Sequence, residues 1–126
     1  MTLVLDSGAL IALDRNDRAM WRRLKAAHES GEVPRSHGGV IGQVWRGRGP
    51  RQARLSKALE SIEVVPLDAA LGRAAGELLA AAKQSDVIDA ALVLLAAAGD
   101  VILTSDPADV AALARAAGCD LEIVPV

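Results

Sequence analysis

Four aspartates stand where this 126-residue sequence passes from one kind of element to another. Asp6 ends the apolar run "LVL" and is followed by Ser7 and Gly8, while Asp86 and Asp89 open "DVIDAALVLLAAAG" and Asp106 lies between "VILTS" and Pro107. Each can serve as the local chemistry of a helix start. Asp6 and Asp86 can cap the turns that follow them, and Asp106 before Pro107 is a good cap with proline at the first helical position. Asp89 can be a first-turn acid favoured by the helix dipole. That reading is strained at Asp89, because an ordinary apolar helix places an apolar residue beside Ala90 and no Lys or Arg lies within a turn. Asp86 and Asp89 are one helical turn apart and share a face. Two carboxylates about 4 Å apart repel by roughly 4 kcal/mol at an effective dielectric of about 20. A divalent cation removes that penalty, and oxygen-only ligands select a hard ion such as Mg²⁺, or Mn²⁺ in its place, which keeps several waters and accepts a phosphate.

For the four acids to meet, the elements carrying them must bring their ends together. Periodicity and punctuation give the order. Thr2 to Leu5 reads as a short buried strand, Ser7 to Leu13 as a helical turn or two, and Arg18 to Glu29 as an amphipathic helix stopped by Gly31. A short extended piece at Val33 to Arg35 leads to a helical region, Gly39 to Arg46, and "GRGP" breaks the chain before a helix from Arg51 to Ser61. "IEVVPL" is the next strand, Asp68 caps a helix from Ala69 to Lys83, and the helix opened by Asp86 runs to Ala98. "VILTS" is a strand, the helix after Asp106 runs to Ala117 before Gly118, and "LEIVPV" is a last strand. Strands alternating with helices predict one domain over residues 1–126, a three-layer α/β/α sandwich around a central parallel sheet. In open sheets of that kind sites gather beyond the carboxyl ends of the strands, where Asp6 and Asp106 fall.

Composition narrows the setting. Apolar residues make up 52% of the chain with no Phe or Tyr, so the core must be built from Ala, Leu, Val and Ile. Trp21, Leu24 and Trp45 either fill that core or line a groove, and at least one Trp is expected inside. The single Cys119 cannot form an internal disulfide, the segment after Met1 lacks a basic n-region, and the run Ala90 to Ala98 is about half the length that crosses a bilayer. A cytoplasmic protein without a membrane span is expected. The segment Arg15 to Lys57 holds eleven of the fourteen Lys and Arg against three acids, a net +8, while the remainder is −10. Such asymmetry suits a polyanion-binding face beside an acidic site, or merely helices with solvated basic faces. His28 and His37 are expected at the surface or in loops.

The motifs resemble those of the PIN-domain ribonucleases, and among them the VapC-type toxins of bacterial toxin–antitoxin pairs, over nearly the whole chain. "LVLDSGALIAL" resembles the family's opening strand with its first metal-site aspartate, Asp6; "SDVIDAALVLLAAAG" resembles the helix carrying Asp86 and the frequent additional acid, Asp89; "VILTSDPADVAAL" resembles the closing strand, threonine and acid, here Thr104 and Asp106. The resemblance implies Mg²⁺-assisted hydrolysis of RNA phosphodiesters, with Ser7 and Thr104 as hydroxyls behind the ligands. It also implies a small antitoxin whose tail covers a groove between the early helices and the active site, and a homodimer.

One position departs from the pattern. Where the family usually has a glutamate, "GQVWRGRG" has Gln43, whose amide oxygen can accept from a metal-bound water but brings no charge. The cation is then expected to rest mainly on Asp6, Asp86, Asp89 and Asp106. Weaker metal binding follows, or a PIN-fold protein that binds without cutting. "WRGRGPRQARLSK" offers Arg46, Arg48 and Arg51 for bidentate phosphate contacts, Arg46 first because it lies one turn from Gln43. Arg15, Arg18, Arg22, Arg23 and Lys25 form a second cluster facing RNA or an antitoxin. A receiver-like phosphoacceptor domain would want a mid-chain aspartate after a strand and a lysine after a late strand, and neither is in place. A dinucleotide-binding fold is weaker still, since "GRGPRQ" lacks the third glycine and follows no strand.

Overall fold

The computed structural model describes residues 1–47 and 49–126. Five short strands, β1 (Leu3–Leu5), β2 (Arg35–His37), β3 (Glu63–Val65), β4 (Val101–Thr104) and β5 (Glu122–Pro125), form one parallel sheet in the order β3-β2-β1-β4-β5. Among the described residues seven helices connect them: α1 (Ser7–Asp14), α2 (Arg18–Glu29), α3 (Gly38–Val44), α4 (Ala53–Leu59), α5 (Ala69–Ala82), α6 (Val87–Leu94) and α7 (Pro107–Ala117). From β1 the chain steps outward through β2 to β3, then jumps back past β1 to β4 and continues to β5. Right-handed crossovers therefore put α1 to α4 on one face and α5 to α7 on the other, the expected three-layer sandwich.

Strand order reverses between β1 and β4, which pair Leu3 with Val101 and Leu5 with Leu103. A crevice beyond the carboxyl ends opens at such a switch point. The sheet's inner strands and the helix faces above them bury Leu5, Leu10, Leu13, Leu55, Leu92, Ile102, Leu103 and Leu113 completely, an aliphatic core as the composition requires. Trp21 is half-buried, packs against this core and donates from Nε1 to the Leu13 carbonyl at 3.0 Å, while Trp45 is 41% exposed. No helix among the described residues is long and apolar enough to cross a membrane.

The elements depart from expectation in three places. The second strand is Arg35–His37 rather than Val33 to Arg35, pairing Arg35 with Glu63 and His37 with Val65. Polar "RSH" hides a strand from pattern reading; it can be buried because Ser36 and His37 both find hydrogen-bond partners. His37 is accordingly fully buried, not a surface or loop residue. The fourth helix begins at Ala53, after a 3-10 turn over Gly49–Gln52. There Gln52, 7% exposed, accepts from Arg46 N and Gly47 N and donates to the Val44 carbonyl, so its side chain ties the turn to the end of α3. The sixth helix stops at Leu94 instead of Ala98, because Asp100 takes the chain into a turn, accepting from Ala97 N at 2.8 Å and donating its own N–H to the Ala97 carbonyl.

Candidate functional site

Asp6 follows β1 directly, and its backbone N–H still joins the sheet by donating to the Leu103 carbonyl at 3.1 Å. Its side chain is 3% exposed and fully engaged: Oδ1 accepts from Ala9 N at 3.1 Å, capping α1, and Oδ2 accepts from Ser105 N at 2.9 Å. One carboxylate thus starts a helix and pins the end of β4 to the end of β1. Capping and a site role are compatible, since a carboxylate oxygen carries more than one lone pair. Gly8 permits this closeness: a Cβ there would stand 2.8 Å from Ser105 Cβ and 3.2 Å from Asp6 Oδ1.

Asp86 is the exposed N-cap of α6 and accepts from Asp89 N at 3.1 Å. Asp89, one turn on, is 7% exposed. Burial pushes its carboxyl up to about 7, and the charges of Asp86, Asp106, Asp6 and Asp109 push in the same direction. The charges that act on it are those of the three other acids expected from sequence, and of Asp109, which was not. Asp109 is in the first turn of α7, three residues after Asp106, so the spacing "DPAD" was the available signal.

Asp106 precedes α7 but makes no side-chain capping bond, so its exposed carboxylate remains uncommitted. Its backbone is held by Thr104, fully buried, whose Oγ1 accepts from Asp106 N at 2.9 Å. Ser7 is the half-buried first residue of α1. Ser105, overlooked in the sequence, links Asp6 to the turn leading to Asp106.

The remaining expected positions lie further out. Gln43 is exposed near the end of α3. Arg46 is exposed too, but its guanidinium folds back onto the carbonyls of Gly42, Trp45 and Gln43 at 3.0, 2.7 and 3.2 Å, closing the C-terminus of α3. Arg51 is exposed in the 3-10 turn, and Arg48 lies outside the described residues. His37 caps α3 through Nδ1, which accepts from Gly39 N at 3.1 Å, and its Nε2 meets the Ile88 carbonyl at 2.9 Å. Burial holds its pKa below the ordinary value, the Ile88 bond acting the other way.

Chemically, this is an anionic, oxygen-only set at the switch point with no basic side chain in a salt bridge to any member among the described residues. No three His, Cys, Asp or Glu side chains among the described residues close into a coordination shell as they lie. Burial first, and then the fields of the neighbouring acids, raise Asp89 so that it keeps a proton close to neutrality. Such a donor set fits a hard divalent ion, which would relieve that repulsion.

No protein-family model matches the sequence, and no curated protein does. Among solved structures the chain is similar to VapBC2 from Rickettsia felis, a structure bound to a DNA fragment from their promoter, with 14% sequence identity and a TM-score of 0.70. The likeness covers 98% of each chain. At that identity it is a likeness of fold, and it runs end to end: the chain has the PIN-like α/β fold of its VapBC2 counterpart.

Proposed function

We propose that this chain is a metal-dependent endoribonuclease acting as the toxin of a toxin–antitoxin pair. The observation that supports the reading most is Asp89, 7% exposed, whose carboxyl is raised by burial and then by the charges of Asp86, Asp106, Asp6 and Asp109. Asp6, Asp86, Asp89 and Asp106 would hold Mg²⁺ or Mn²⁺, with Asp109 close behind. A bound ion of this kind supplies a nucleophilic water at neutral pH and stabilises charge on a phosphodiester. The chain's own residues contribute placement: Asp6 and Ser105 N tie the two central strand ends, and Thr104 orients the backbone of Asp106. RNA is the polyanion that suits the basic flank, with Arg48 and Arg51 as its phosphate contacts and Arg46 joining them once its guanidinium turns out from the α3 carbonyls.

The antitoxin belongs to the same proposal, supported by the likeness to VapBC2 and by a groove of about 320 Å³ between α2 and α4. Trp21 and Leu24 give it an apolar floor, and Lys25 and Lys57 flank it. A homodimer is also part of the reading and is checked by light scattering of the purified chain.

Gln43 favours a second reading, a catalytically silent or weakened PIN-fold protein that serves as a binding partner. One experiment separates them: a mixed RNA pool is incubated with antitoxin-free protein and Mg²⁺ or Mn²⁺, against EDTA. Metal-dependent cutting that disappears in Asp6→Ala supports the nuclease. No cutting with either metal, but cutting by Gln43→Glu, supports the silent form.

A further inference from the structure

Strand β2 ends in two consecutive buried polar residues, Ser36 and His37, each fully inaccessible. Ser36 Oγ donates to the carbonyl of Leu5 at 2.8 Å. His37 Nδ1 accepts from Gly39 N, so the ring proton is on Nε2, which donates to the carbonyl of Ile88 at 2.9 Å. Leu5 immediately precedes Asp6, and Ile88 immediately precedes Asp89. Neighbouring residues of one short strand therefore grip the backbone just before two acids that lie 83 positions apart in sequence.

We infer that Ser36 and His37 are positioning residues that set the separation of the Asp6 and Asp89 carboxylates. The inference rests on the metal-centre reading above for its consequence, though not for its geometry. Packing around the pair leaves little slack. A Cβ on Gly39 would stand 2.5 Å from Ile88 Cδ1 and 2.9 Å from His37 Cε1, so the start of α3 lies directly against the first turn of α6. Neither residue contacts the cation in this account. They act as hydrogen-bonded supports behind a ligand do, whose loss commonly costs ten- to a hundredfold in metal affinity.

Two isosteres separate this role from simple capping. In His37→Asn the side-chain oxygen can still accept from Gly39 N and cap α3, but the reach to Ile88 is lost. In His37→Gln the longer amide can donate to the Ile88 carbonyl instead. The experiment measures Mn²⁺ affinity by calorimetry and amide hydrogen exchange without metal, in the natural chain, both His37 variants and Ser36→Ala. Urea midpoints verify folding. Expected are about a tenfold loss of Mn²⁺ affinity and faster exchange in the first turn of α6 for His37→Asn, both largely restored in His37→Gln. Ser36→Ala should weaken Mn²⁺ binding and speed exchange at Asp6 and Ser7.

Equal affinity and equal exchange in His37→Asn and the natural chain would overturn the inference. So would equal losses in Asn and Gln that merely track a lower urea midpoint, since that marks a packing role. If the natural chain binds no Mn²⁺, the metal reading fails by itself, and the exchange pattern alone decides whether His37 holds α6.

Discussion

Asp100 and Asp89 are equally buried, each 7% exposed, and they differ in everything else. Asp100 stands just before β4, at the amino end of the sheet. Its two oxygens accept from Thr2 N and Ala97 N, both at 2.8 Å, so each has a donor. Asp89 stands beyond the carboxyl ends, where its neighbours are Asp86, Asp106, Asp6 and Asp109, and its carboxyl is raised to about 7. Burial of an acid therefore says little about function. A buried acid whose surroundings already answer its charge is part of the scaffold, and one whose surroundings repeat its charge awaits a cation or a proton.

The two buried acids should consequently respond in opposite ways to loss of charge. Asp100→Ala takes away the acceptors of the part-buried Thr2 and Ala97 N–H groups and should cost about 1–2 kcal/mol, read from urea unfolding, while Mn²⁺ affinity stays unchanged. Asp89→Asn should instead raise metal-free stability at pH 8 by about 2 kcal/mol, a figure discounted for residual solvent screening, and weaken Mn²⁺ binding.

The pH dependence follows from the same sign. Because the folded-state pKa of Asp89 lies above that of the unfolded chain, the native state holds the proton more tightly. The resulting stability is complete below about pH 4 and is lost as pH rises through about 7. The urea midpoint of metal-free protein should carry this decline between those limits, and in Asp89→Asn that component should vanish.

A smaller effect tests the tie between the two central strands. Gly8→Ala puts a methyl 2.8 Å from Ser105 Cβ, and relief requires the β4–α7 turn to move away from Asp6. A loss of about 1–2 kcal/mol is expected, together with weaker Mn²⁺ binding, whereas Gly76→Ala in α5, where nothing lies within 4 Å of the new Cβ, should leave both unharmed.

Much of this was legible before any coordinates. Apolar "LVL" and "VIL" each stop at a polar turn, so pattern and punctuation agreed on β1 and β4, and the acids after them fell at the carboxyl ends. Asp89 stood out because an acid interrupted an apolar helix. Local pattern could not reveal the supports that link residues far apart in sequence. Ser36 and His37 lie in a polar triplet before two glycines, which reads as a loop, and their partners are Leu5 and Ile88. Gln52 looked like one more polar residue in a basic stretch, yet it closes the turn after α3. Arg46 looked free because a sequence cannot show that a guanidinium turns back on its own helix.

The central claim is that the acids at the β1/β4 switch point form a centre whose repulsion a divalent ion answers. The most direct measurement is the thermal midpoint at pH 8 as Mn²⁺ is added, in the natural chain and in Asp89→Asn. The account predicts a midpoint that climbs with Mn²⁺ concentration in the natural chain and starts higher but climbs far less in the variant. A natural chain whose midpoint ignores Mn²⁺, or a variant that follows it equally well, would contradict the account.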